Sequence, residues 1–533
     1  MSVAQGVLGF NYQSTEKKSG LTSLAGLPLY LEFAHVSGLI QAIRTHLTAR
    51  DGTQGWTDAQ VVMALIFLNL AGGESVSDLK VLEEDDGFAR VLQKTVFHGL
   101  SRPQRRELER RWRKEKHRSV PSPSAVFRYL SLFHNLAQGT LRISGKALIP
   151  APNQNLQALG LVNQAFLAFV QSRERQDIAT LDVDATLVET HKSTALFGYK
   201  GFKSYQPLNV WWAEQELVAF SEFRDGNVPA GYQMLRVFQA ALDALPEGVE
   251  TVRLRSDTAG YQHEVLQYCA QGSHPRFKLI EFAIGCDVSK EFKAAVAEVR
   301  EKDWHDLKPR ENDTRAPNSR PLRQWAEVAF VPAGMGFSKN TTPYRYIATR
   351  ELLQDQPLPG MEGQQKLPFQ TMGWAGQQYK VFGIVTNFRR PQDEIDKEID
   401  RVRRKPEGRQ PECWSGHQVI HWIYERSGKS ESAHAAMKED LAGGRLPSGD
   451  FGENAAWWGI MILAFNLNAA MKRLVLGGSW ITRRLKAIRF HLIHIAGFIS
   501  HGGNTLWINV SRGIDEIVRA RERMRDLSRS PAA

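Results

Sequence analysis

Three acidic residues on three separate segments have the type and setting that phosphoryl chemistry requires. Asp184 stands in the apolar run "LDVDATLV" at 181–188, and Asp257 ends the run "VRLRSD" at 252–257. Glu431 stands in "YERSGKSESAHAAMKEDL" at 424–441, with Lys438 seven residues on. Cutting a phosphodiester calls for the attacking and leaving oxygens to be clamped by divalent ions ~3.5–4 Å apart, and converging carboxylates hold such ions. Magnesium prefers hard oxygen ligands and keeps part of its water shell, so three carboxylates are enough. Asp182 offers a second chemistry, as an aspartate nucleophile with Asp184 as its general acid.

Each candidate also has an ordinary structural role. Asp257 sits where a strand turns toward a helix, a position at which Asp commonly caps the helix. It is also where α/β sheets bind ligands, outside the carboxyl ends of their strands. Tyr424, Glu431 and Lys438 are seven apart, so an unbroken helix puts them on one face, where a cation could grip a phosphate. A solvated Glu–Lys face has the same spacing. Asp182 and Asp184 are two apart on a strand and therefore share a face.

These residues need a scaffold, and the chain reads as one. Residues 28 to 146 look helical: "WTDAQVVMALIFLNLAG" has Thr57 as its cap and Gly72-Gly73 as its stop. A strongly basic helical stretch follows, carrying Arg105, Arg106, Arg110 and Arg113, and then "VPSPSAVFRYLSLF". Pro123 and Ser124 are its expected cap, and Phe127, Leu130 and Phe133 its buried face. A basic helix, a proline turn and a short second helix match the pattern of a helix-turn-helix DNA reader; a solvated charged helix beside a core helix fits equally well. From Ile178 the order is three strands, helix, strand, helix, strand, with two of the strands joined by a turn at 213–215. Segments such as "AEVAFVPAG", "TPYRYIATREL" and "QQYKVFGIVTNF" within 286–412 alternate like antiparallel strands between Pro- and Gly-rich connections. Helix returns near Ser430 and runs into a basic tail. The expected division is 1–150 helical and DNA-binding, 175–285 with 413–475 as an α/β core, 286–412 as a β-rich insertion, and 476–533 as a basic helical end.

Composition narrows the partners. The 533 residues carry a formal net charge of +11, with 42% hydrophobic and 23% charged residues, as expected of a globular protein whose surface favours a polyanion. Three cysteines without zinc-like spacing fit a reducing compartment. The N-terminus lacks the pattern of a signal peptide. The longest apolar run, 455–465, is shorter than a membrane span and reads as a core helix. No membrane partner and a cytoplasmic, nucleoid-associated location are expected.

The motif around Asp184 resembles that of haloacid-dehalogenase-type phosphatases, but the rest of that pattern is missing. "SGDFGEN" at 448–454 follows a Gly-Pro-rich turn and has Asn454 where a second Asp is usual. The hairpin strands after Asp184 are also foreign to that fold. The chain more closely resembles bacterial insertion-sequence transposases of the DDE class. Within them it resembles the branch whose last carboxylate lies in a Tyr-x2-Arg-x3-Glu-x6-Lys signature and whose core is split by a β-rich insertion. Asp184, Asp257, Tyr424, Glu431 and Lys438 match; position 427, where the signature has arginine, is Ser427. Either Arg426 or Lys429 then supplies that phosphate contact, or the copy is impaired and binds DNA without cutting it.

The resemblance implies an α/β fold with a ribonuclease H-like core, a mixed sheet flanked by helices and interrupted by the insertion. It implies two Mg²⁺ ions, replaceable by Mn²⁺, held by Asp184, Asp257 and Glu431, with Asp182 as a possible extra acid. It further implies cleavage at transposon ends, strand transfer into target DNA, and a homodimer assembled on double-stranded terminal inverted repeats. Arg403 and Arg404, with Arg401 and Lys405, would join the N-terminal basic helix and the tail in tracking DNA. Trp374 and Trp414 are candidate platforms for a flipped base, against the commoner role of core packing.

Overall fold

The structure is a computed structural model that describes residues 20–50, 52, 54–111, 118–143, 145–309, 322–332, 344–353, 370–374, 376–391, 409–503 and 505–529. Arg113, Arg401, Arg403, Arg404 and Lys405 lie outside them. The chain forms two compact units. One joins Met1–His134, Asn153–Val162 and Asp440–Ala532; the other joins Asn135–Pro152 and Asn163–Glu439.

The second unit carries the sheet that holds the candidate acids. Its main strands are β1 (Ile178–Ala185), β2 (Leu208–Trp212), β3 (Leu217–Glu222), β4 (Thr251–Ser256), β5 (Glu281–Cys286), β6 (Arg323–Val328), β7 (Arg345–Leu352) and β8 (Gln377–Thr386). They lie in the order β3-β2-β1-β4-β5-β8-β7-β6 within a ten-stranded sheet. β1 pairs antiparallel with β2 but parallel with β4, and β4 pairs parallel with β5. β1 is therefore central and buried along most of its length, which is why it reads as an apolar run rather than an alternating one. Three helices matter here: α1 (Met234–Ala244), α2 (His263–Ala270) and α3 (Gly416–Ala435).

The strands expected to form a separate insertion instead lengthen this sheet. β8 pairs antiparallel with β5, from Thr386 opposite Ala283 to Gly383 opposite Cys286. Without that partner β5 would be an edge with a row of unsatisfied backbone groups. α3 then closes over the joined region: Val419, Ile420 and Ile423 pack against Ala283, Ile347, Ile384 and Phe388. Burying each of those aliphatic side chains contributes about 1.5–3 kcal/mol, which fixes α3 on the sheet. Ser415 caps α3, accepting from the Gln418 backbone N–H at 3.2 Å.

The first unit is built round two apolar helices, Asp58–Ala71 and Phe451–Ala470, which pack together. Thr57 caps the former with a reciprocal Gln60 contact, and Gly72 at φ +94° ends it. The helix around the apolar run at 455–465 is longer than that run suggests. Phe451–Leu476 is one helical stretch, long and apolar enough to cross a membrane, yet its apolar window is 72% buried inside the fold. The 413–475 segment also divides, since residues from Asp440 onward belong to the first unit. The 476–533 segment is not helical throughout: Gly497–Gly502 and Thr505–Val510 form a hairpin.

Candidate active site

β1 and β4 run parallel, and their register decides what each acid does. Asp182 lies directly opposite Arg255, and Val183 opposite Ser256. The next residues, Asp184 and Asp257, are thus neighbours where the two strands end.

Asp182 is fully buried, and its carboxylate accepts two bonds from Arg255, at 2.5 Å from Nε and 2.9 Å from Nη2. A bidentate charge-assisted pair of this kind uses both oxygens of the acid. Arg255 also donates from Nη1 to the Trp422 carbonyl at 2.8 Å and reaches Glu425 at 3.3 Å. Its guanidinium lies 5.1 Å from the Trp422 ring centre. Asp182 and Arg255 therefore fasten α3 to the centre of the sheet. Arg253, two residues earlier and on the same face, makes a second such knot with buried Glu281 at 3.0 Å and with Glu412 at 2.5 Å.

Asp184 is different. Its side chain keeps 21% exposure, and Arg426 Nη1 lies 3.0 Å from Oδ2. Burial pushes the Asp184 carboxyl up to about 6; Arg426 pulls it down, and the charge of Asp257 pushes it further up. A carboxyl raised by burial and by a neighbouring like charge is the mark of acids gathered at a common point. His434 Nδ1 is 3.8 Å from the same oxygen. Burial, together with the charges of Lys438 and Arg426, lowers His434 to about 4, so it is neutral at physiological pH. Asn209 is the cross-strand neighbour of Asp184; it is buried, its Oδ1 accepts from Ser221 Oγ at 2.6 Å, and its Nδ2 has no hydrogen-bond partner among the described residues. Asp257 is exposed and caps the turn Thr258–Gly260 by accepting from the Ala259 N–H at 3.0 Å. The capping role is thus real, and it uses one of the two carboxylate oxygens, Oδ1.

α3 presents Arg426, Ser430 and His434 toward this point, an i, i+4, i+8 stripe. The signature positions fall on another part of the helix. Tyr424 packs beside the core of Ile347 and Ile423, with its hydroxyl 3.4 Å from Thr349. Glu431 is exposed, and Lys438 is half-buried in the π-helical turn Ala436–Asp440. At about 100° per residue, Glu431 is roughly 60° round the helix from His434 and 140° from Arg426. The structure therefore unites Asp184 with Asp257 and does not bring Glu431 to them. Among the described residues no three His, Cys, Asp or Glu side chains form a metal-holding group. Two adjacent carboxylates suit one hard cation that retains water ligands; the three-acid set for two ions is not assembled in this arrangement.

Lys429 lies 3.8 Å from Glu216 at the β2–β3 turn rather than at Asp184. Trp414 stacks on Phe388 at 4.2 Å, and Trp374 packs edge-on against Trp304 and Tyr379, so both have core partners. In the first unit, Arg105, Arg106 and Arg110 lie on the helix Arg102–Arg110, where Arg105 pairs with Glu109 at 3.2 Å. The following helix, Pro123–Leu130, is capped by Ser122 and buries Val126, Tyr129 and Leu130, while Phe127 is exposed. Of the expected buried face, Leu130 and Phe133 are buried and Phe127 is not. In the basic tail, Arg489 and Arg523 donate to backbone carbonyls of Leu70 and Val475, which makes them helix-end clasps. Arg255, His434 and Asn209 were not foreseen; the one signal for Arg255 was its alternation with Arg253 inside a strand that is buried along most of its length.

The sequence profile of the family described as "Transposase DDE domain group 1" matches residues 15–333, well over half of the chain. The chain belongs to the DDE transposase family. The matched residues include Asp184 and Asp257 and end before α3. Among solved structures, the transposase is similar to that described as "Cryo-EM structure of piggyBac transposase synaptic complex with hairpin DNA (SNHP)". The TM-score is 0.37 and the identity 11%, over 96% of this chain and 82% of that one. No curated protein matches the chain.

Proposed function

We propose that this transposase is a metal-dependent DNA endonuclease and strand transferase that cuts transposon ends and joins them to target DNA. The observation that carries this reading is the Asp184–Asp257 pair at the adjacent ends of two parallel strands, with Asp184 raised chiefly by burial and further by its neighbour's charge. A sheet of order β3-β2-β1-β4-β5, with only β2 antiparallel to its neighbours β1 and β3, supports a ribonuclease H-like core, the scaffold on which such pairs occur in the resemblance described above.

Asp184 and Asp257 would hold Mg²⁺, or Mn²⁺ in its place, and the ion would supply Lewis-acid stabilisation at the scissile phosphate. Arg426 balances the Asp184 charge in the free protein and is the nearest cation for a DNA phosphate. His434 and Asn209 flank Asp184 and restrict the directions its carboxylate can take. Glu431 is the proposed third carboxylate. Gly428 lies between Arg426 and Glu431, and a Cβ placed there meets nothing within 4 Å. Glycine inside a helix weakens it by about 1 kcal/mol, so this is the point at which α3 can change phase when DNA and cations arrive. The double-stranded terminal repeats, a homodimer on DNA, and a cytoplasmic site of action belong to the same proposal.

A DNA-binding protein without cleavage is the second reading, supported by the unassembled third acid. Against the phosphatase reading stands the burial of Asp182, whose carboxylate accepts two bonds from Arg255. The test is cleavage of a labelled duplex bearing the end of the element that encodes the chain, with Mg²⁺. Cutting by the wild type that disappears in Asp257→Asn supports the proposal; binding without cutting selects the second reading.

A further inference from the structure

The ribbon that leaves the active-site end of β1 carries a surface that the reaction outlined above does not use. Val188–Glu189 pairs antiparallel with Ser204–Tyr205, and the Thr190 N–H donates to the Lys203 carbonyl at 3.0 Å. The tip closes on itself: the Gly198 N–H donates to the Phe202 carbonyl at 2.8 Å, and the Gly201 N–H to the Gly198 carbonyl at 3.0 Å. Gly201 adopts φ +80°, and a Cβ on Gly198 would fall 2.6 Å from Ser204 Oγ, so both glycines are required by the turn. The base is anchored by Arg142, which pairs with buried Asp225 at 2.5 Å. The result is a built hairpin.

On this rigid support stand two aromatic rings that the fold leaves in water. Phe197 is 56% exposed and Tyr199 is 74% exposed. Each has a lysine beside it: Lys203 Nζ lies 5.9 Å from the Phe197 ring centre, and Lys200 Nζ 5.9 Å from that of Tyr199. Lys203 is held by donating to the Ser193 carbonyl at 2.7 Å. Residues 190–203 contain three lysines and no acid. Solvated aromatic faces interleaved with cations on a fixed scaffold are the elements from which strand-binding proteins make stacking platforms, because every base offers a π-face and every linkage a negative charge. Bases in a duplex are already stacked, so the complement of this surface is an unpaired strand.

We infer that the 190–203 hairpin binds an unpaired DNA strand beside the cleavage site, stacking bases on Phe197 and Tyr199 and pairing phosphates with Lys200 and Lys203. The inference rests on the DNA-cutting reading above and adds to it a substrate form, an end with frayed or displaced bases. It also relieves Trp374 and Trp414, which are engaged in packing, of that role.

The full-length chain can be titrated by fluorescence anisotropy with a 30-base-pair duplex, blunt or carrying a ten-nucleotide unpaired overhang. The wild type should prefer the overhang. Phe197→Ala with Tyr199→Ala should reduce that preference tenfold or more while leaving blunt-duplex affinity and thermal melting unchanged, and the corresponding tryptophan pair should restore it. No overhang preference in the wild type, or an alanine pair that retains it, overturns the inference and leaves the DNA-cutting reading standing. If the wild type binds neither DNA, the DNA-cutting reading itself fails. If the alanine pair instead turns a wild-type dimer into a monomer with overhang affinity intact, the surface serves a second copy of the chain and the inference is overturned.

Discussion

Asp182 and Asp184 share one strand and one face, yet their surroundings assign them opposite tasks. Asp182 lies at the middle of β1, opposite Arg255, fully buried and with both oxygens bonded. Asp184 lies at the end, beside another aspartate, with a part-exposed side chain and one cation at 3.0 Å. The first acid is satisfied and holds α3 in place. The second is crowded by like charge and open to a ligand. A displacement of one strand pair thus separates a structural carboxylate from a chemical one, and the residue opposite each acid makes the difference.

The largest expected effect falls on the open pair. Asp184→Asn or Asp257→Asn should reduce DNA cleavage on the order of 10³-fold or more, the scale on which groups at the reacting centre act. Thermal denaturation should show both variants still folding cooperatively. Next comes the closed pair: Asp182→Ala removes the bidentate partner of buried Arg255 and leaves it only the part-exposed Glu425 as counter-charge, and chemical denaturation should show a loss of about 3–5 kcal/mol. Converting both partners to apolar residues of similar volume, Asp182→Leu with Arg255→Met, should recover much of that loss. An Asp182→Ala variant as stable as the wild type would break the comparison.

A smaller effect is readable through pH. Folding raises Asp184 from the ordinary aspartate range, ~4, to about 6, chiefly by burial. Between those values the folded chain binds more protons than the unfolded one, so this group's contribution turns less favourable as pH rises from about 4 to about 6. Melting temperatures of the wild type and Asp184→Asn, compared across that window, should show the wild type losing ground. His434 has the opposite slope, since its lowered value favours the folded state as pH rises, but it is present in both proteins and cancels in the difference. The smallest effect concerns Gly428. Gly428→Ala has room for its methyl group and should stabilise α3 by about 0.5–1 kcal/mol. If α3 must change phase to deliver Glu431, the same variant should cut DNA more slowly despite its greater stability.

Much of this scaffold was legible because its signals are local. The strand, hairpin and helix order after Ile178 follows from apolar runs and turn residues, and Asp184 and Asp257 stand where strands end. What escaped was pairing between distant segments. Nothing in residues 377–386 announces that they will join the edge of β5, because any exposed strand edge accepts a partner. Arg255 read as one of two arginines in a strand, since its meaning depends on a parallel register with Asp182 that no spacing reveals. The face of α3 failed for a related reason: a seven-residue spacing keeps Tyr424, Glu431 and Lys438 together but leaves open which neighbour they meet. Packing of Val419, Ile420 and Ile423 on the sheet set that phase, and it turned Arg426 and His434 toward Asp184.

The central claim is that the Asp184–Asp257 pair holds a divalent cation and that Asp182 does not. Calorimetric titration of the DNA-free protein with Mn²⁺ tests it directly, using wild type, Asp184→Asn, Asp257→Asn and the Asp182→Leu/Arg255→Met pair under conditions where all are folded. The account predicts binding in the wild type and in the apolar pair, and its loss in each of the other two. Binding that survives Asp184→Asn but disappears in the Asp182 variant would contradict it.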